Sequence, residues 1–305
     1  MSSITIERKN FNDEQDGTKE IPYRVPALIR ASIAAGRNPE NQPKRNDEKA
    51  EWKSRESLVR SAVMMRDPLP LATVTYLESR MTNRGHMTEA VANTLCAFSA
   101  EVEFNIPWLM NVEELNRYSP SPVIERSDKA SRKRTDFIAR DRKGEWYVFE
   151  AKGRQSKPSN ADLEKWKMQA RTVKTINRQR PKYHIVAATY LNENNVWTQI
   201  LYDPPPDERA YALEFDEIDF FRAYYLRLRR RLMSYPIVDE TAYGNLYSLG
   251  IPGFQVGVHR DFENAAFEGA IERLYELSSA VESGHDSKAD FQIFGDGIMV
   301  KMVEV

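Results

Sequence analysis

Three residues, Asp136, Glu150 and Lys152, carry charge in a part of the sequence that is otherwise apolar. Glu150 and Lys152 end the run EWYVFEAK (145–152), in which apolar side chains fall on both faces of an extended chain. A strand of that kind is typical of a sheet interior, and strand alternation places Glu150 and Lys152 on the same face. A buried carboxylate or ammonium is costly unless it is paired or bound to a metal. The pattern therefore indicates either a functional site or a buried structural ion pair.

Asp136 belongs to an earlier strand-like run, RTDFIAR. If the two runs form a hairpin in which the numbers of paired residues sum to 286, Asp136 lies opposite Glu150 and the connecting loop is 141–145. Opposed residues share a face with Cβ atoms about 5 Å apart, and two carboxylates that close repel each other unless a divalent cation bridges them. A register with a sum of 285 would put the two side chains on opposite faces and remove this argument.

A set of oxygen ligands suits Mg²⁺, with Mn²⁺ as the alternative, because Mg²⁺ takes one or two carboxylates together with waters and phosphate oxygens. Lys152 could hold the attacking water and stabilise the charge that develops on a phosphate. These residue types therefore predict metal-assisted hydrolysis of a phosphodiester.

The order of these residues resembles the motif of the PD-(D/E)xK nucleases, the restriction-endonuclease-like superfamily. Thr135-Asp136 is followed, after a gap of 13 residues, by Glu150-Ala151-Lys152. The elements expected around the motif, in the order helix, strand, strand, strand, helix, strand, are similar to the αβββαβ core of that superfamily. The resemblance covers Met87 to Tyr202, and Thr135 stands where the motif has proline.

The resemblance implies a role for each matching residue. Asp136 and Glu150 would bind the metal, Ala151 would add its backbone carbonyl, and Lys152 would be the catalytic lysine. Glu89 in HMTEAVANTL, on the first core helix, would assist. The implied fold class is α/β, with a central mixed sheet flanked by helices, an N-terminal extension and an α-rich C-terminal region.

Periodicity and breaker residues predict the remaining organisation. We expect a polar N-terminal extension (1–60), a nuclease-like core (61–202) and an acidic accessory region (203–305) that begins at the breaker DPPPD. Helices are expected over 86–100, 160–179, 216–233 and 268–281; strands over 183–191 and in VWTQILY; and a terminal hairpin around Asp296-Gly297.

The charge is strongly segregated, although 44 lysines and arginines against 45 aspartates and glutamates leave a formal net charge of −1. Residues 129–182 have 11 more basic than acidic residues, whereas residues 203–305 have 9 more acidic than basic ones. A local basic excess favours polyanion binding. The proposed nucleic-acid contacts are Lys167, Arg171, Lys174 and Arg178 along one stripe of the helix expected over 160–179, together with Arg134 and Arg154 beside the motif. A solvated surface is the alternative.

The composition also excludes several classes of protein. The chain has one cysteine, Cys96, so neither a disulfide framework nor a cysteine-based zinc site is possible within it. It has no run of about 18 apolar residues, no secretory h-region and no GxxxxGK[ST] loop. We therefore expect a cytoplasmic protein without a membrane partner.

The resulting expectation is a Mg²⁺-dependent endonuclease that cuts DNA, in a setting such as prokaryotic or phage defence. The C-terminal region would carry contacts to a second copy or to a partner subunit. Two alternatives remain open: a nuclease fold that binds nucleic acid or serves a larger complex without cleaving, and an oligomeric scaffold in which the charge cluster is structural.

Overall fold

A computed structural model describes residues 2–11, 16–35, 63–64, 71–126, 134–204, 211–249, 253–283 and 291–303. A seven-stranded mixed sheet forms its centre, with strands β1 and β11 and strands β8 and β10 parallel and the other neighbours antiparallel. Its strands, in order across the sheet, are β2 (Gly17–Tyr23), β1 (Ser2–Lys9), β11 (Trp197–Tyr202), β10 (His184–Leu191), β8 (Trp146–Arg154), β7 (Phe137–Arg140) and β5 (Trp108–Asn111). The chain therefore has a mixed α/β architecture.

Eight helices are present within the described residues. They are α1 (Val25–Ala34), α2 (Val74–Glu78), α3 (Met81–Phe104), α4 (Val112–Tyr118), α5 (Asn160–Ala170), α6 (Glu217–Leu232), α7 (Arg260–Glu268) and α8 (Ile271–Ser283). None of these helices is both long and apolar enough to cross a membrane.

Helices α3 and α5 pack on opposite faces of the central sheet. Ser99 of α3 donates a hydrogen bond to Gln199 of β11, and Thr88 of α3 contacts the backbone at Gly153 of β8. The other face carries the residues of β8 that alternate with Gly153. There Leu163, Trp166 and Ala170 of α5 pack on β10 and β11 through a small apolar cluster that includes Val186, Ala188 and Ile200.

Three smaller sheets complete the strands. One has the order β6 (Ile124–Arg126), β12 (Tyr211–Glu214), β9 (Val173–Ile176), and another pairs β3 (Val63–Met64) with β4 (Leu71–Ala72). The largest is antiparallel, with the order β13 (Ile237–Thr241), β14 (Gly244–Tyr247), β15 (Phe254–Val258), β17 (Ile298–Met302), β16 (Phe291–Ile293). The predicted hairpin around Asp296-Gly297 is confirmed as the β16–β17 pair.

Two expectations about the terminal regions differ from the structure. Much of the described part of the expected N-terminal extension belongs to the main sheet, because Ile4, Ile6 and Ile21 of β1 and β2 give one apolar face to α3 and α1. The C-terminal region is not α-rich alone, since it contains the five-stranded sheet. The residues of 1–60 and of DPPPD that lie beyond the described ranges are left without a structural outcome.

The helix expected over 160–179 was also wrong in its second half. Helix α5 ends at Ala170, and the chain then enters strand β9, which pairs with β12. Thr172, Val173, Thr175 and Ile176 are β-branched, which favours an extended backbone when a partner strand is present.

Candidate active site

The β7–β8 hairpin has the register on which the metal-site argument depends. Phe137 pairs with Phe149 and Arg140 pairs with Trp146, so the numbers of paired residues sum to 286. The predicted loop, 141–145, is confirmed. Asp141 Oδ1 accepts hydrogen bonds from the backbone N–H of Lys143 at 2.9 Å and of Glu145 at 2.8 Å, which fixes the turn.

Asp136 lies one residue beyond the last ladder pair, and polar contacts hold it there in place of strand pairing. The Thr135 hydroxyl donates to the carbonyl of Phe149 at 2.9 Å. The Asp136 N–H donates to Glu150 Oε2 at 3.2 Å, and the Val112 N–H donates to the Asp136 carbonyl at 3.1 Å. The backbone at Asp136 is therefore fixed on the β8 side and on the β5 side.

The three charged side chains meet at this open end of the hairpin. Lys152 Nζ lies 2.5 Å from Glu150 Oε1 and 3.5 Å from Asp136 Oδ2, and the Ala151 N–H donates to Asp136 Oδ2 at 3.0 Å. The side chain of Glu150 is 1 % exposed, whereas those of Lys152 and Asp136 are 24 % and 35 % exposed. A buried carboxylate thus stands behind an ammonium and a second carboxylate that solvent can reach.

Burial and like charge act together on Glu150. Desolvation, followed by the charge of Asp136, raises the pKa of the Glu150 carboxyl to about 8, although Lys152 opposes the shift. Burial acts to lower the pKa of Lys152, but the two carboxylates outweigh it and raise that pKa. Lys152 is consequently an ammonium at neutral pH, while Glu150 holds a proton for part of the time in the absence of a cation.

Helix α3 carries Glu89, Asn93 and Cys96 at helical spacing. Cys96 is buried, and its pKa is raised by burial and then by the charges of Asp136 and Glu150. Glu89 is partly buried and lies about two turns nearer the helix N-terminus than Cys96.

The close approach of α3 to β8 depends on Gly153, the residue after Lys152. A Cβ atom at Gly153 would lie 2.7 Å from the methyl group of Thr88 and 2.8 Å from its carbonyl oxygen. The Thr88 hydroxyl in turn is 2.8 Å from the hydroxyl of Tyr76 in α2. Gly153 therefore sets the distance between strand β8 and the helix that carries Glu89.

The donor set has the composition of a divalent-cation site but few protein ligands. Within the described ranges, no group of three or more His, Cys, Asp or Glu side chains is arranged to hold a metal ion. Asp136 and Glu150 supply two carboxylates. The N–H of Ala151 points toward Asp136, and in an extended strand the carbonyl of the same residue points to the same side. Such a set fits Mg²⁺, which keeps several waters and needs one or two carboxylates.

Only two of the six proposed nucleic-acid contacts lie beside this site. Arg134 is exposed two residues before Asp136. Arg154, two residues after Lys152, is paired with Asp162 in the first turn of α5 and lies over the ring of Trp166.

The expected stripe of Lys167, Arg171, Lys174 and Arg178 does not exist as one surface, because the helix ends before it is complete. Lys167 is buried, lies 2.6 Å from Glu164 and contacts the ring of Tyr202. Arg171 caps α5, Lys174 lies on β9, and Arg178 lies in the following turn. These residues lead away from the site toward the opposite end of β8, where the Lys182 N–H donates to the Trp146 carbonyl.

Sequence reasoning missed two residues that shape the site. Thr135 was noted only as a departure from the motif, and Gly153 was not considered. The contact that makes Gly153 necessary joins residues 65 positions apart and cannot be seen in local sequence.

No protein-family description, curated protein or solved structure matches the chain at a significant level. The geometry of the site is therefore the basis on which a function can be proposed.

Proposed function

We propose that the chain is a Mg²⁺-dependent endonuclease that hydrolyses phosphodiester bonds of DNA and has a restriction-endonuclease-like core. The observation that carries the proposal is the meeting of Asp136, Glu150 and Lys152 at the open end of the β7–β8 hairpin. A purely structural ion pair would need one carboxylate for one ammonium. Here a second carboxylate raises the pKa of a buried one, which is unfavourable for the fold alone and useful for binding a cation.

The side chains divide the work according to their exposure. Asp136 and Glu150 would hold the metal, with the Ala151 carbonyl as a further ligand. The metal, when bound, lowers the pKa of a bound water and polarises the phosphate. Lys152 is the most accessible cation beside both carboxylates, so it orients the attacking water and stabilises the phosphate charge.

The raised pKa of Lys152 limits its role to that of a hydrogen-bond donor. A side chain that stays protonated at neutral pH cannot accept the proton of the attacking water. Helix α3 packs on β8 at Gly153, and Glu89 of that helix is the candidate for assistance from that side.

The direct test is cleavage of supercoiled plasmid DNA in Mg²⁺, with EDTA as the metal-free reference. Asp136→Asn and Lys152→Met should each lower the cleavage rate by about 100-fold or more, the scale for removing one electrostatic contact to the transition state. A matched pair of controls is Asp239→Asn and Lys301→Met, which remove an ion pair of 2.9 Å in the C-terminal sheet.

The control variants should cleave as fast as wild type. Equal cleavage by Asp136→Asn and wild type would disprove the assignment of the site. DNA binding that survives in EDTA, with no cleavage in Mg²⁺ or Mn²⁺, would instead favour the alternative of a nuclease fold that only binds nucleic acid.

A further inference from the structure

A strained turn follows strand β9 at the end of the molecule away from Lys152. Asn177 and Arg178 have φ angles of 49° and 64°, so two consecutive residues with a Cβ atom are left-handed. The Ile176 N–H donates to the Gln179 carbonyl at 2.8 Å and the Gln179 N–H donates back at 2.9 Å, which closes a two-residue turn of the I′ kind. Asparagine tolerates this conformation, but arginine does so at a cost.

The backbone of the turn is fixed from three directions. The Asn177 N–H donates to the Leu213 carbonyl at 2.8 Å, and Asn177 Oδ1 accepts from the Phe215 N–H at 2.9 Å. Gln179 Oε1 accepts from the buried Arg140 guanidinium at 3.3 Å. Arg178 takes no part in these contacts and its side chain is exposed, so packing does not explain why a strained position carries arginine.

The side chains around the turn form a basic surface without neutralising partners. Lys174, Arg178 and Arg180 are exposed and make no ion pair within the described residues. Beside the active site the situation differs, because Arg154 is paired with Asp162. Unpaired cations are the ones that can bind phosphates without first losing a protein partner.

The distance between the turn and the active site suits one extended ligand. Gln179 contacts Arg140, which is opposite Trp146, and Lys152 is six residues farther along β8, or about 20 Å at 3.3 Å per residue. That length corresponds to about six phosphates of one DNA strand at 3.4 Å each. Helix α5 runs between the two ends, and neither its exposed Lys165 nor the exposed Lys157 just before the helix makes an ion pair in the part of the chain described.

We propose that Lys174, Arg178 and Arg180 form a remote contact for the phosphate backbone of a DNA duplex whose reactive phosphate lies at Lys152. The inference rests on the proposed nuclease function and adds a second anchoring point to it. The fixed turn holds Arg178 in position before DNA arrives, so little conformational entropy is lost when it binds. The backbone strain at Arg178 thus serves DNA binding and does not serve folding.

The test is binding of a labelled 30-base-pair duplex in EDTA, where no cleavage occurs, at several salt concentrations. The double variant Arg178→Asn, Arg180→Gln keeps residues that tolerate the turn and removes two charges. Its Kd should rise about tenfold, and the slope of log affinity against log salt should fall by about 2. The matched control, Arg24→Gln with Arg273→Gln, removes two exposed arginines elsewhere and should leave both quantities unchanged.

Arg178→Gly provides an independent readout, because glycine removes both the charge and the strain. This variant should melt at the same temperature as wild type or higher while binding DNA more weakly, and Arg178→Lys should recover most of the affinity. In Mg²⁺ the double variant should show a raised KM with kcat unchanged, since the turn touches no reacting atom.

The inference is overturned if the double variant and wild type have the same Kd and salt slope. The proposed function fails separately, if Asp136→Asn cleaves as fast as wild type. If wild type cleaves DNA but the double variant binds DNA as tightly as wild type, the active-site assignment stands and the remote contact is rejected.

Discussion

Thr135 shows how a single hydroxyl can replace strand pairing. The β7–β8 ladder ends at Phe137 and Phe149, so Asp136 has no ladder partner of its own. The bond from Thr135 to the Phe149 carbonyl extends the contact by one step and is buried. Proline at this position, as in the motif, would fix φ without donating any hydrogen bond. Thr135 is therefore a positioning residue for Asp136.

Replacing Thr135 tests this role. Thr135→Val leaves the Phe149 carbonyl buried without its donor, which should lower the free energy of unfolding by about 1–3 kcal/mol. It should also lower the DNA cleavage rate by about tenfold or more, because Asp136 shifts relative to Glu150.

Thr135→Ser provides the control, because it restores the hydroxyl and should recover most of the cleavage rate. Urea unfolding and plasmid cleavage measure the two effects. A Thr135→Val variant with lowered stability but full kcat would show that the bond is structural only.

The protonation of Glu150 predicts a pH dependence of stability in the metal-free protein. The pKa of Glu150 is about 8 in the folded protein and about 4.3 in an unfolded chain. Between these values the folded state binds more protons than the unfolded state, so stability from this group is lost as the pH rises. The glutamine in Glu150→Gln does not titrate. The free energy of unfolding of this variant should therefore increase relative to that of wild type as the pH rises from 5 to 8.5.

Urea unfolding in EDTA measures the difference, with exposed Glu240→Gln as a control whose offset should stay constant. Adding Mg²⁺ at pH 8 should then stabilise wild type, because binding favours the folded state, and should not stabilise Glu150→Gln. A difference between Glu150→Gln and wild type that is independent of pH would contradict the proposed protonation.

At the scale of elements, two glycines of the α3–β8 unit should respond in opposite ways to alanine. Gly153→Ala places a Cβ against the backbone of Thr88, which cannot move without displacing α3, so it should destabilise the protein by about 1–3 kcal/mol. Cleavage should fall as well, because Glu89 moves with the helix. Gly85, in the first turns of α3, has nothing within 4 Å of the added Cβ.

Gly85→Ala should accordingly stabilise the protein by about 1 kcal/mol through helix propensity and leave cleavage unchanged. Thermal unfolding of both variants measures the contrast. If Gly153→Ala were as stable as wild type, α3 and β8 would not be in contact as described.

The elements that sequence alone predicted are those whose pattern is local. The apolar stripe of α6 and the alternation around Glu150 gave the correct elements, and of the two hairpin registers that the sequence left open the structure has the one that sums to 286. Two errors share one cause, because β9 and β1 take their places in their sheets beside partners that are distant in sequence. Strand β9 pairs with β12 and strand β1 pairs with β11, nearly 200 residues away. The close pairing of Lys152 with Glu150 followed from alternation, whereas the packing of Gly153 against α3 did not.

At the scale of the whole molecule, the C-terminal region packs against the β7–β8 hairpin at the end away from Lys152. Trp108 and Trp146 pack edge-on against Phe221 and Phe220 of α6, each with ring centroids 5.1 Å apart. At the turn of the hairpin, Arg142 Nε donates to the buried Ser278 hydroxyl of α8 at 2.7 Å. The site lies at the other end of the hairpin, so these contacts do not occlude it. The expected division at residue 203 does not separate two cores, because one apolar cluster contains residues from both sides.

Asp296 provides the test of this shared core. It accepts hydrogen bonds from Arg30 at 2.7 and 3.0 Å and from the Tyr224 hydroxyl at 2.6 Å, and all three residues are buried. Asp296→Asn removes one of the two carboxylates that pair with the buried Arg30, the other being Glu101 at 2.9 Å, and should cost about 1–3 kcal/mol. The exposed ion pair of Asp239 should matter little, so Asp239→Asn is the control. Denaturant unfolding distinguishes them, and a cost similar to that of the control would mean that the regions fold independently.

The contact between Arg30 and Asp296 also determines when the native protein can first exist. These partners are 266 positions apart in sequence. Strand β1 likewise cannot pair with its neighbour in the sheet interior, β11, until β11 has been synthesised. A chain emerging from the ribosome at about 5–20 residues per second therefore exposes its first strand for some ten seconds or more before that partner appears. The interior closes only when residue 296 has been made. We expect the β7–β8 hairpin to be formed early by its local pairing and to become firmly supported late, so that the proposed cleavage activity is coupled to synthesis of the chain through residue 296.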